Sequence, residues 1–542
     1  MDDLVPDPWL QRTFGAMLDR AAERWPDAEA LVAGDDRLTF AQLRRQCRLM
    51  ASALIRSGVR PGDRVAICMG NSVEWVVSFY GAALAGAITV PVNTRFKAAE
   101  IEYCLSQAGV STLITIDRFL GKIDFIGMLR LIEPAIDQLL PGAKLPRLRG
   151  LIVLGEDRPR SAVSFGALRV EQKKIGEQPL PEVRPDDVVI MQYTSGTTSF
   201  PKGVLLTHDN VLRNAANVAH RIGVRAGDRY FSARPFFHVA GTTLSQLVAL
   251  SAGACLVTTE TFDAGTSLEI MAKERCTLVS GNDTLFLMMM AHPDFDPKKL
   301  NLRGGWAAAG PVVMRQVIER MGIRDLCFAY GLSESSPNVV MSDFRDDPEL
   351  RIAGLAKTHE GMTLRIVDPE TGTDRPADAV GEILVRGWSL MKGYHEKPAE
   401  TAKAIDKEGW LHTGDLGSLT PGGRLRFVGR VKDVFRVGGE NVAPAEVEEV
   451  LHDHPAVAQA QVVGVPDPRL GEVAAAYVRL REGGKAEPEE LIAWCRERCA
   501  SFKVPRYLRL VGSFDEIGMT GSAKVQKSKL RDFAVADLGL GD

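Results

Sequence analysis

Residues 187–211 read DVVIMQYTSGTTSFPKGVLLTHDNV, and their order is strand, polar loop, then helix, with Thr207 positioned to cap that helix. The loop at 194–203 carries Thr194, Ser195, Thr197, Thr198 and Ser199 beside Gly196 and Gly203, with one cation, Lys202. Hydroxyls and backbone N–H groups at such close spacing suit phosphate oxygens, and Lys202 adds a point charge. The spacing is not that of the common NTPase loop. Pro201 precedes the lysine, and Gly203 follows it where Ser or Thr would hold magnesium.

Working outward, short apolar runs (RVAIC, STLITI, ACLVTT, CTLVS) alternate with helical patterns such as TFAQLRRQCRLMASALIRSG between about residues 38 and 276. That rhythm predicts an α/β architecture with mostly parallel strands. Beyond Arg351 the texture turns β-rich (MTLRIVDPETG, GEILVRG, GRLRFVGR), a small β unit on the α/β body. A tail of about a hundred residues with its own α+β rhythm follows, enough for a separate small domain. The expected division is 1–430 for a large multi-subdomain N-terminal domain and 431–542 for a small, mobile C-terminal one. At 542 residues the chain exceeds what one core usually serves.

Composition narrows the function. A formal charge of -3 gives no broad basic field, so nucleic acid is not an expected partner. Eight cysteines without zinc spacing, and an acidic, proline-broken start, predict a reduced cytoplasmic protein. Residues 75–94 lack charge, but Gly86, Pro91 and Asn93 predict a buried helix followed by a strand, not a transmembrane segment.

The motifs TSGTTSFPKG, PFFHVAG from Pro235, YGLSE from Tyr330, GWLHTGDLG from Gly409, GRVKD from Gly429, GGENVAPAEVE from Gly438 and TGSAKVQK from Thr520 occur in that order. In this set the chain resembles the adenylate-forming enzymes, which include acyl-CoA synthetases, aryl-CoA ligases, luciferases and peptide-synthetase adenylation domains. The resemblance spans nearly the whole chain.

The resemblance implies a site. Thr194, Ser195, Gly196, Thr197, Thr198 and Lys202 would cradle the phosphates of ATP. Tyr330, Gly331 and Ser333 would meet the nucleotide, Ser333 standing where threonine is usual. Glu334, with Thr194, would hold Mg²⁺, which takes one or two protein carboxylates when it bridges phosphates. Asp415 would bind ribose, and Arg430 would contact the nucleotide beside it. Gly310 and Pro311 join the nucleotide set, although residues 306–311 and the Met-rich stretch 285–290 read equally as acyl-pocket lining or as ordinary core.

Lys524 matches the family's adenylation lysine, which stabilises the charge developing between carboxylate and α-phosphate. Lys432 matches a hinge, about which the tail would turn from presenting Lys524 to presenting Gly438, Gly439, Glu440 and Asn441 to coenzyme A. Arg436 reads either as a contact for a CoA phosphate or as a solvated cation. His238 is the candidate wall between the carboxylate site and the thiol's route; its alternative is a satisfied core histidine. Two glycines usual in the family are replaced, by Ser199 and Ala523.

The activity implied is acyl-CoA synthesis: a small carboxylic acid, hydrophobic and fatty or fatty-like, forms acyl-AMP with MgATP and is then passed to CoA. Two rivals stand beside it. One ends on a carrier protein's phosphopantetheine; the other is a binding protein that has lost catalysis, against which Lys202, Glu334, Asp415 and Lys524 speak. A homodimer is compatible with the reading.

Overall fold

The computed structural model describes residues 12–194, 201–515, 517–518 and 525–540. Among these the large N-terminal domain is built on two mostly parallel sheets. The first has eight strands, with Arg64–Cys68 near its centre between Ile88–Pro91 and Thr112–Ile116. The second has nine, with Arg229–Phe231, Leu278–Asn282 and Gly304–Ala308 in parallel neighbouring positions.

Helices Phe40–Arg56, Val73–Leu84 and His208–Arg221 share one core with both sheets, joining Val65 and Ile67 of the first to Tyr230, Leu256 and Trp306 of the second. Val73–Leu84 is buried on every side and runs into the Ile88–Pro91 strand, which is the arrangement predicted for the uncharged stretch. A helix apolar all round belongs in a core as readily as in a bilayer. Among the described residues no helix is long and apolar enough to cross a membrane.

The small β unit is a four-stranded antiparallel sheet of Met362–Val367, Gly381–Gly387, Leu411–Leu419 and Leu425–Arg430. Its third strand, LHTGDLGSL, was not expected from the sequence, because glycine and polar residues hide its period. The small C-terminal domain has its own core and a five-stranded sheet, with helices Pro444–His452, Pro488–Arg498 and Lys527–Asp537.

One local reading needs correction. The chain does not pass from phosphate loop straight into helix: Lys202–Thr207 is a strand, antiparallel to Val188–Thr194, with Thr194 opposite Lys202. The two strands therefore form a hairpin, and residues 195–200 between them lie outside the described residues. Thr207 does cap the helix that follows, accepting from the Asn210 N–H at 3.1 Å in a reciprocal capping box.

Candidate active site

Lys202 leaves the hairpin base with its ammonium 2.8 Å from the Glu400 carboxylate and 4.8 Å from the centre of the Tyr394 ring. Tyr394 arrives from far along the chain. Its two-residue strand Gly393–Tyr394 pairs antiparallel with Lys202–Thr207, setting Tyr394 opposite Val204. From there its hydroxyl donates to Glu334 Oε1 at 2.9 Å, while the Met391 N–H holds the Glu334 carbonyl at 2.8 Å. Lys202 and Glu334, 132 positions apart by their numbers, thus meet at one tyrosine. Burial and the Glu334 charge push the Tyr394 phenol up, so it stays protonated and remains a donor. Lys202 holds the Glu400 carboxyl below its ordinary range. Neither Tyr394 nor Glu400 was picked out from the sequence. The KGY at 392–394 is the signal that was there to find.

Among the described residues no cluster of three or more His, Cys, Asp or Glu forms a closed metal cage. The donor set nevertheless fits Mg²⁺, which usually keeps waters and substrate phosphate oxygens and needs only one or two carboxylates. Tyr394 engages one Glu334 oxygen, and the second accepts no hydrogen bond from a described residue. Thr194 ends its strand of the hairpin.

A second cluster forms around Asp415, which is 5% exposed. The Tyr330 hydroxyl donates to Oδ2 at 2.9 Å, and Arg430 Nε stands 3.4 Å from Oδ1. Asp415 and Arg430 are register partners on adjacent antiparallel strands, which is why residues of separate motifs meet. The Tyr330 ring lies 5.3 Å from that of Phe427, at 32° between planes. Burial first and the Asp415 charge second raise the Tyr330 phenol well above its usual range. Gly331 ends the Tyr330 strand where a Cβ would stand 1.9 Å from the Pro337 carbonyl oxygen, so no larger residue fits. Ser333 and Glu334 follow in a 3-10 turn.

His238 caps the short helical turn Val239–Gly241, its Nδ1 accepting the Ala240 N–H at 3.1 Å. The segment before it is tied to the rest of the site. Gln192 Nε2, on the strand leading to the phosphate hairpin, donates to the Phe237 carbonyl at 2.8 Å, and Asn71 Oδ1 accepts the Phe236 N–H at 2.8 Å. Gly310 donates its N–H to Asp283 Oδ1 at 3.0 Å, and Pro311 opens the helix Pro311–Met321. Trp306 is interior, with Nε1 donating to the Tyr230 hydroxyl at 2.7 Å. Leu285, Phe286, Leu287, Met289 and Met290 of the Met-rich helix are buried, and Met288 is not.

Lys432 lies in the 3-10 turn Val431–Asp433, two residues past Arg430, and burial together with the Arg430 charge holds its ammonium below the usual lysine range. Gly438 and Gly439 form the tip of a tight hairpin between Phe435–Val437 and Glu440–Val442, with φ of 59° and 95°. Positive φ at both central residues is what a two-residue hairpin turn asks for. Their motif glycines therefore have a backbone reason to be there. Glu440 is exposed beside them, and Arg436 pairs with Glu370 at 3.3 Å. Lys524, Ser195, Gly196, Thr197, Thr198, Ser199 and Ala523 lie outside the described residues.

Two family models match the chain: AMP-binding enzyme over residues 18–395, and AMP-binding enzyme C-terminal domain over 446–524. A putative acyl-CoA synthetase of Bacillus subtilis (strain 168), YngI, is 38% identical over 537 residues, 96% of this chain and 97% of its own. The mitochondrial medium-chain acyl-CoA ligase ACSF2 of Bos taurus is 34% identical over 543 residues, 96% of this chain and 87% of its own. The crystal structure of the anthranilate CoA ligase AuaEII in complex with anthranoyl-AMP superimposes with a TM-score of 0.87 at 27% identity, covering 97% of this chain and 98% of that one.

Proposed function

Because the chain belongs to the AMP-binding enzyme family, as an AMP-forming acid–thiol ligase of the acyl-CoA synthetase type, we propose that it joins a carboxylic acid with an apolar carbon skeleton to coenzyme A. The acid's carboxylate oxygen attacks the α-phosphorus of ATP, forming acyl-AMP and expelling pyrophosphate. The CoA thiolate then attacks the acyl carbon, forming the thioester and expelling AMP. The observation that carries this reading is the meeting of Lys202 and Glu334 at Tyr394, which puts a cation and a positioned carboxylate together at the base of the phosphate hairpin.

In this reading Lys202 and the hairpin, with Thr194, hold the β- and γ-phosphates. Mg²⁺ on Glu334 would neutralise phosphate charge. Asp415 accepts from the ribose hydroxyls, with Arg430 beside it, while Tyr330, Gly331, Ser333, Gly310 and Pro311 bound the nucleotide. Lys524 stabilises the charge developing on the α-phosphate. The domain boundary falls at Arg430, and the tail turns about Lys432 to bring Gly438, Gly439 and Glu440 to the pantetheine. His238 separates the carboxylate from the thiol's path. The protein works by positioning and charge stabilisation, since no cysteine or serine nucleophile stands in these motifs.

The buried Met-rich helix and the medium-chain relatives support an apolar skeleton. Eight free thiols suit a reducing compartment such as the cytoplasm. Exchange of labelled pyrophosphate into ATP with a panel of acids tests the first half-reaction. Thioester formation with free CoA against a phosphopantetheinyl carrier protein tests the second. Absence of exchange with every acid would leave a binding protein, and acceptance by the carrier alone would move the function to carrier loading.

A further inference from the structure

Four residues before His238, the chain buries an arginine that makes no ion pair with any described residue. Arg234 is 4% exposed, and its Nε has no hydrogen-bond partner among the described residues. Its guanidinium carbon lies 5.1 Å from the centroid of the Trp306 ring. The other arginine buried this deeply, Arg351, is treated differently: its guanidinium donates to the carbonyls of Asp346, Arg324 and Leu326 at 3.1, 2.7 and 2.9 Å. Burial pushes the Arg234 guanidinium down to about 10, and the Asp283 charge acts against that. A buried cation left unpaired costs several kcal/mol, so proteins rarely keep one without a partner.

The surroundings are polar where an acyl pocket for plain hydrocarbon would be apolar. Trp306 and Ser280 are register partners on adjacent parallel strands, and the buried Ser280 hydroxyl interacts with the Tyr230 phenol. Tyr230 donates to the Leu244 carbonyl at 2.9 Å, and the Ser232 and Ser245 hydroxyls meet at 2.8 Å. A buried cation without an ion pair to any described residue thus stands beside Trp306 in polar surroundings. The segments around them are those of the proposed site. The Trp306 strand leads to Gly310, the Arg234 segment leads to His238, and Asp283, whose charge reaches Arg234, takes the Gly310 N–H.

We propose that the acid activated by this protein carries a second carboxylate at the far end of its carbon skeleton, and that Arg234 is the residue that pairs with it. The inference rests on the acid-activating reading above and adds a substrate class to it: dicarboxylic acids, with an apolar spacer between their ends. The guanidinium fork matches a carboxylate in two parallel hydrogen bonds. A monocarboxylic acid of equal length would set a methyl group against an unpaired buried charge and satisfy nothing. Sites built to hydrogen-bond a substrate group reject the analogue lacking it far more strongly than apolar pockets reject a size change.

The test pairs α,ω-dicarboxylic acids with monocarboxylic acids of the same length, on the full-length protein. Pyrophosphate exchange gives kcat and KM, and the shift of the melting temperature with each acid, without ATP, gives binding. The expected result is a preference for the diacid of about 100-fold or more in kcat/KM at the best length. Arg234→Met should raise KM for diacids and leave monoacids unchanged or improved, and Arg234→Lys should keep part of the preference. A wild-type protein that prefers monoacids, or an Arg234→Met variant that loses both classes equally, overturns the inference while the ligase reading stands. If no acid supports exchange but diacids alone raise the melting temperature, and Arg234→Met abolishes that rise, the pairing of Arg234 with a diacid holds while its activation, and the ligase reading, fall. Should Arg234→Met fail to fold, the wild-type ratio and the Arg234→Lys variant still decide.

Discussion

Replacing Tyr394 by phenylalanine removes one oxygen atom from the centre of the proposed phosphate site and leaves the rest of the side chain in place. The ring stays 4.8 Å from the Lys202 ammonium, but the 2.9 Å hydrogen bond to Glu334 Oε1 is gone. Hydrogen bonds to a charged acceptor contribute about 1.5–3 kcal/mol, and both partners are partly exposed, so the low end applies. At about 1.4 kcal/mol for each factor of ten, Tyr394→Phe should cost roughly tenfold in kcat/KM for MgATP. The loss should fall mainly on KM, because Glu334 keeps its charge and loses only its orientation. Steady-state pyrophosphate exchange over a matrix of ATP and Mg²⁺ concentrations measures this, with thermal unfolding as the control for stability. Kinetics within twofold of wild type at every Mg²⁺ concentration would refute the claim that Tyr394 positions the carboxylate.

Lys524→Ala should abolish exchange while thioester formation from supplied acyl-AMP survives; equal loss of both would contradict a tail that presents different faces in the two steps. Gly439→Ala forces a side chain onto a φ of 95°, where Cβ meets no neighbour but the backbone is strained. We expect slower thioester formation with exchange unchanged, and a matched fall in both rates would argue against a role for this turn in the second step alone. Burial pushes His208 down to about 4, with Nδ1 accepting the Phe14 N–H at 3.3 Å, so the folded state keeps this ring neutral. Its folded value lies below its unfolded one, so stability is full above about pH 6.5 and is lost as pH falls from there towards 4, by about 2 kcal/mol at pH 5. Urea unfolding between pH 7 and 5 should show this slope and His208→Asn should reduce it; an unchanged slope in the variant would assign the acid sensitivity to other groups.

Motifs carried by a local run of residues are legible in the sequence. The cap at Thr207 and the buried helix after Ser72 each follow from neighbours within a few positions. Strands without a period of their own are not. LHTGDLGSL is extended because Gly381–Gly387 and Leu425–Arg430 flank it, and KGVLLT is too short and too apolar to be told from the lead-in to a helix. The contacts that shape the site are the least legible of all. Lys202 finds Glu400 across 198 positions and Glu334 finds Tyr394 across 60, and nothing in a single sequence pairs them. The isolation of Arg234 is likewise a property of what surrounds it in space.

The pairing of Gly393–Tyr394 with Lys202–Thr207 also bears on how the chain is made. The phosphate hairpin leaves the ribosome long before the strand that covers its outer edge, and some 190 residues separate them. At usual rates of synthesis that edge is bare for roughly 10–40 s. Over that interval an apolar strand with open N–H and C=O groups is available to any other strand that meets it. Nascent chains are therefore most exposed to mispairing while the second large sheet is being synthesised, and the nucleotide site cannot take shape until the small β unit has begun to emerge.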